Sequence, residues 1–241
     1  MVVNPEFVPD AARSREEMAH LQGEIADRAV FEDDLDCDPT DPDTLIAGVD
    51  QAFDGDTALS AVVVTRGGET VVERGSARAP TEIPYVPGLL SFREGNAILA
   101  AIEQLETEPD LFMLDGSGRI HFREAGIATH IGVTLDVPTI GVAKSLLCGT
   151  PRDSLDDPLP EGTRVAIEAD GDVTAPDGTV IGYAVQSRQY DSGNRYINPL
   201  YVSPGHRVSA ETAADVVAAT TRGYKLPEPT RLADSDAADL K

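Results

Sequence analysis

The sequence predicts an α/β protein built on a mixed β-sheet flanked by helices. Three consecutive strand-like segments, "TLIAGVDQAF", "ALSAVVVTRG" and "ETVVERGSAR", are joined by the turn-forming "DGDT" and "RGGE", the pattern of an antiparallel meander. Beyond them apolar strands alternate with helical patterns, which requires parallel crossover connections. At 241 residues and 41% hydrophobic side chains, the chain can bury one sizeable core.

The elements follow in order. Met18, Leu21 and Ile25 recur at helical spacing within residues 14–30, and Ser14 with Glu17 has the form of a capping box. A solvated linker, "EDDLDCDPTDPD", leads into the meander. After "PTEIPYVPG" a helix is expected from Phe92 to Leu105, then the strand "DLFMLDG", a helix near 123–132 and the strand "VPTIGVAKS". Residues 151–163 read as an exposed loop, and a β segment over 164–202 leads to a last helix capped by Ser209. The organisation expected is a single domain. Residues 1–43 supply a helix and acidic linker packed on the core, 44–233 the main body, and 234–241 an acidic tail.

No run of about 18 apolar residues is present, and the first residues lack the basic and apolar regions of a signal peptide. Cys37 and Cys148 fit neither a disulfide framework nor a clustered zinc site. A soluble, cytoplasmic monomer with no membrane partner is the expectation. The charge is unusual: 42 acidic residues face 19 basic ones, and Lys144, Lys225 and Lys241 are the only lysines. Acidic residues spread along the whole chain suit a halophilic protein, since at about 1 M salt the screening length falls to about 3 Å. The other reading is an acidic partner-binding face. A nucleic-acid substrate is compatible with the first.

Three carboxylates stand out. Asp50 lies within the first strand, on the face shared by Ile46, Gly48 and Ala52, where a charge is costly unless it is paired or bound to a cation; an edge-strand Asp facing water is the alternative. Glu94 falls on the apolar stripe with Ile98, Ile102 and Leu105, although Ser91 and Glu94 also fit a capping box. Asp115 ends the apolar strand "LFML", where ligands of open α/β sheets gather, although Asp and Gly are also common in plain turns. Together the three can converge at one point of a ribonuclease H-like sheet. Converging carboxylates repel, and hard divalent cations, magnesium above all, relieve that repulsion.

Five ordered segments, "PYVPGLLSFREG", "LDGSGRIHFREAGIATHIG", "IGVAKSLLCG", "PLYVSPGHRVS" and "GYKLPEPTRLAD", closely resemble the endonuclease V family of deoxyinosine-directed repair nucleases. The resemblance runs from Ile46 to Ala233. It implies a ribonuclease H-like fold and a magnesium-dependent nuclease, with manganese able to substitute. The implied reaction is hydrolysis of the second phosphodiester bond 3′ to a deoxyinosine in single- or double-stranded DNA, as DNA repair. Inosine-containing RNA is the alternative substrate, because members of the family differ.

Carried over by position, Asp50, Glu94 and Asp115 match the metal-binding carboxylates, His206 a histidine at the active centre, and Lys144 a lysine near the phosphate. Pro84, Tyr85, Val86 and Pro87 match a strand-separating wedge. Gly88, Leu90, Gly116, Gly118 and His121, with Tyr85, match positions lining the base pocket, where a flipped hypoxanthine is read. Asn96, where proline is frequent in relatives, and Leu232, where an aromatic is frequent, depart from the pattern away from this chemistry. A flap- or junction-cutting ribonuclease H-like enzyme would share the carboxylates without needing the wedge, and a non-catalytic module would lack at least one carboxylate.

The acidic composition predicts a salt response. Cleavage measured in potassium chloride from about 0.05 to 3 M should pass through a maximum in the molar range, because salt relieves self-repulsion before it erodes phosphate contacts. Best activity below about 0.2 M, with the protein fully folded there, would remove the halophilic reading.

Overall fold

β1 (Leu45–Asp54) is the strand around which the sheet grows, because both of its faces are apolar until Asp50. In this computed structural model, which describes residues 1–191 and 195–241, β1 pairs antiparallel with β2 (Thr57–Arg66) from Leu45↔Arg66 to Asp54↔Thr57. β3 (Thr70–Pro80) completes the meander. On the other side of β1 lie two parallel strands, β4 (Leu111–Asp115) and β5 (Thr139–Ala143), reached through α2 (Leu90–Ile102) and α3 (Ile127–Leu135). β6 (Thr150–Pro151), β7 (Arg164–Glu168), β8 (Val180–Val185) and β9 (Leu200–His206) extend the sheet antiparallel, in the order β3-β2-β1-β4-β5-β9-β8-β7-β6. Residues 192–194 of the expected 164–202 β segment lie outside the described residues.

Alternation along β1 divides the core into two layers. Ala47 and Val49 pack with Phe112, Leu114 and the inner faces of α2 and α3. Ile46, Met113, Ile140 and Val202 pack on the opposite side with Val216 and Val217 of α4 (Ala210–Thr220). α5 (Glu228–Asp239) covers β1 and β2 on that same side, where Ala237 meets Ala52, Leu59 and Ala61. The expected Ser14 capping box opens α1 (Arg15–Arg28), whose Met18, Leu21 and Ile25 pack against Leu89, Phe92, Ala125 and Val133.

Three expectations are corrected. α2 starts at Leu90 with no side-chain cap, so Ser91 and Glu94 form no capping box; the Ser91 hydroxyl instead meets His130 Nδ1 at 2.8 Å. α3 starts at Ile127, after a turn in which Glu124 takes φ 52°. Residues 234–239, expected in an acidic tail, are the second half of α5. Its buried stripe is built largely of Ala233 and Ala237, too small to register as an apolar periodicity, while Asp236 faces outward to Arg74.

Gly48 lets α5 approach β1. A Cβ there would lie 2.1 Å from the carbonyl carbon of Pro229 and 2.6 Å from the Thr230 nitrogen, backbone atoms with no freedom to swing away. Gly48→Ala should therefore destabilise the fold by about 1–3 kcal/mol. A thermal melt unchanged from wild type would show that α5 is not pressed against the sheet.

Candidate active site

The parallel strands deliver the carboxylates. Val49 pairs with Leu114, so the next residues, Asp50 and Asp115, stand side by side where β4 ends. Asp115 pairs in turn with Val142, which brings the end of β5 and Lys144 alongside. Lys144 Nζ lies 2.9 Å from Asp115 Oδ2, 3.5 Å from Asp234 Oδ1 and 4.0 Å from Asp50 Oδ2. Glu94, in the second turn of α2, lines the same cavity of about 450 Å³.

Burial controls the electrostatics. Asp50 is only 4% exposed, and burial, followed by the charge of Asp115, pushes its pKa far above the usual carboxylate range against the pull of Lys144. Burial also raises Glu94 to about 7; Arg93 opposes the shift and Asp115 adds to it. Burial alone would lower Lys144, but Asp115, Asp50 and Asp234 outweigh it and keep the ammonium protonated.

One oxygen of Asp50, Oδ1, accepts the Gln51 backbone N–H at 2.6 Å, whereas Oδ2 is buried with no hydrogen-bond partner. A buried acceptor without a donor costs about 1–3 kcal/mol. A hard cation beside Asp115 is the group that such an oxygen suits, so the donors fit magnesium. Among the described residues, no three His, Cys, Asp or Glu side chains are drawn tightly around one point. The carboxylates are neighbours that an ion would have to gather.

On the α2 and α3 side the cavity is lined by Tyr85, Val86, Pro87, Gly88, Leu90, Gly116 and His121. Tyr85 is 62% exposed at its mouth. His121 holds the wall. Its Nδ1 accepts the backbone N–H groups of Arg123 and Ala125, so Nε2 carries the proton and donates to Gly88 O at 3.0 Å. Burial lowers its pKa to about 4, so the ring is neutral. Pro84 is exposed outside this lining.

Two expected residues sit elsewhere. Gly118 packs behind the wall: a Cβ there would lie 2.2 Å from Pro204 O, and its N–H donates to Ser203 Oγ. His206 pairs with Thr139, the first residue of β5, whereas Lys144 follows the last. It is therefore at the opposite end of that strand, roughly 16 Å from Lys144 at about 3.3 Å per residue. There its Nδ1 accepts from the Val30 N–H, and burial lowers its pKa.

Two residues were not foreseen. Asp234 of α5 completes the ring around Lys144. Gln22 of α1 is wholly buried; its Nε2 donates to Gly88 O at 2.7 Å while its Oε1 accepts from Arg123 Nη1 at 3.2 Å. A signal for Gln22 existed, since it falls four residues after Met18 on the apolar stripe.

This fold and constellation define a nuclease of the ribonuclease H-like class. The chain belongs to the endonuclease V family, whose sequence profile matches residues 25–235. It is 63% identical to endonuclease V of Haloarcula marismortui, over 99% of this chain and 97% of that protein. The crystal structure of endonuclease V from Streptomyces avermitilis superposes with a TM-score of 0.78 at 34% identity, covering 98% of this chain and 95% of the other. That of the Ciona intestinalis enzyme, solved in complex with a 24mer DNA containing an inosine followed by a ribo-adenosine, superposes with a TM-score of 0.74 at 26% identity, covering 93% and 96%.

The buried carboxylates set a sign for stability. Groups whose folded pKa is raised favour the fold while protonated, so metal-free stability should fall as pH rises from about 4.5 through 7, the Glu94 window. Asp50→Asn and Glu94→Gln should each raise stability at pH 8 in metal-free buffer by about 1–3 kcal/mol. Denaturant titrations at pH 5 and pH 8 check this; variants less stable than wild type at pH 8 would show the carboxylates to be structural.

Proposed function

We propose that this protein is a magnesium-dependent endonuclease that recognises deoxyinosine in DNA and hydrolyses the second phosphodiester bond on its 3′ side. The observation that carries this reading is the juxtaposition in one cavity of an acidic, cation-seeking end and a glycine-walled end. The DNA-bound Ciona enzyme, a relative by fold and sequence, supports it.

Asp50 and Asp115 would hold the ion, with Glu94 lining the same cavity and Asp234 beside Lys144. Magnesium, when bound, supplies positive charge at the phosphate and an acidified water. The Lys144 ammonium, kept charged by its carboxylate neighbours, faces the same space and balances charge at the scissile phosphate. Gly88 and Gly116 adopt φ of 81° and 140°, conformations open to glycine, and a Cβ on Gly116 would lie 2.5 Å from Ile127 Cγ2. Without side chains at these points, backbone groups approach a flipped base and read the N1–H and O6 of hypoxanthine. Tyr85, flanked by Pro84 and Pro87, is the ring that enters the stack as the base leaves.

The test uses end-labelled DNA and RNA strands that carry inosine or adenine at one position, with magnesium present. Wild type should cut the inosine DNA one nucleotide beyond the lesion, leaving a 3′-hydroxyl, and leave the adenine strand intact. Asp50→Ala, Glu94→Ala and Asp115→Ala should each lose at least about a hundredfold to a thousandfold in rate while remaining folded. Preferential cutting of the RNA would move the substrate to inosine in RNA; cutting of flaps or junctions without inosine would overturn the reading.

A further inference from the structure

The active-site edge of the sheet continues past the pocket. Ala143 pairs with Tyr201, and Tyr201 with Ala184, so the start of β9 and the end of β8 both lie beside Lys144. The connection between them leaves the sheet at that edge. Its base is closed by Gln186, whose Nε2 donates to Arg188 O at 2.7 Å and Ile197 O at 2.8 Å, and by Gln189, whose Oε1 accepts the Ile197 N–H at 2.9 Å. Ser187 Oγ donates to Lys225 O at 2.5 Å, tying this connection to the segment that precedes α5.

This strip brings cations and exposed aromatic rings together. Some exposed arginines are matched to carboxylates, as Arg152 to Glu168 and Arg164 to Asp215. Among the described residues neither Lys225 nor Arg195 makes an ion pair. Arg195 lies instead over the Tyr190 ring, 4.4 Å from its centroid. Among the described residues four tyrosines are exposed; one is Tyr85, and the other three, Tyr190, Tyr196 and Tyr224, at 40%, 65% and 58%, all belong to this strip. Arg231 lies likewise over the Tyr224 ring, 4.7 Å from its centroid. Exposed aromatic rings beside cations form a platform on which bases stack while phosphates are held.

We propose that Lys225 and Tyr224, continuing into Tyr190, Arg195 and Tyr196, form a docking track for single-stranded nucleic acid on the 3′ side of the cut. The polarity rests on the function proposed above. The base pocket opens on the α2 and α3 side of the sheet, Tyr224 and Lys225 lead into α5 on the other, and the carboxylates stand between. A strand with its modified base in the pocket and its 3′ bond at the carboxylates leaves toward the strip. Stacking also suits a protein of net charge −23, because it persists at salt concentrations that erode phosphate contacts.

The experiment compares inosine strands with short (about 2 nucleotides) or long (about 10 nucleotides) tails, on either the 3′ or the 5′ side of the lesion. Wild type should gain about tenfold in kcat/KM from the long 3′ tail. Arg195→Ala combined with Tyr190→Ala, and separately Tyr224→Ala, should remove most of that gain and retain whatever the 5′ tail contributes. A 3′ gain that survives in both variants, or a loss shared equally by the 5′ tail, overturns the track. If wild type fails to cut at inosine, the deoxyinosine reading falls, and fluorescence anisotropy with undamaged single strands in metal-free buffer then decides the track. Variants that bind as tightly as wild type would eliminate it.

Discussion

Two like charges placed side by side at the ends of adjacent parallel strands are the constraint on which this molecule is organised. The register that sets Asp50 beside Asp115 also buries Ile46, Ala47, Val49, Met113 and Leu114, so the fold cannot separate the carboxylates without giving up core. The repulsion is met locally: Lys144 at the end of the next strand supplies a permanent cation, and burial favours protonation of Asp50. Divalent ions can enter a pair of oxygens whose tension the apolar layers on both sides maintain.

Much of this arrangement was legible in the chain. The meander, the two crossover helices and the position of Asp115 follow from turn chemistry and from the switch between periods of two and 3.6. Glu94 was ambiguous because a helix start and an apolar stripe overlap there, and the packing of Ser91 against His130 resolves it. α5 escaped because an alanine stripe has little hydrophobic contrast, and Asp234 escaped with it. His206 shows the opposite error. A histidine in a well-matched segment was carried to the active centre, yet strand polarity puts it at the far end of β5. A one-dimensional match carries no information about which end of a strand faces the chemistry.

The buried histidines in this protein are builders. His121 and His130 both have pKa values lowered to about 4 by burial, and each spends its ring nitrogens on neighbouring protein atoms. Neither is free to shuttle protons near neutrality. The titratable groups left in the cavity include its carboxylates and the Lys144 ammonium.

The bond from Gln22 to Gly88 reaches from a helix outside the sheet to the wall of the cavity. Chemistry and recognition thus have separate foundations: the carboxylates stand on the strands, while the pocket wall leans on α1. Exchanges on the inner face of that helix can reshape the cavity wall without disturbing the register of Asp50 and Asp115. In such a scaffold the shape of the wall is free to drift among descendants that retain one unchanged pair of strand-borne carboxylates.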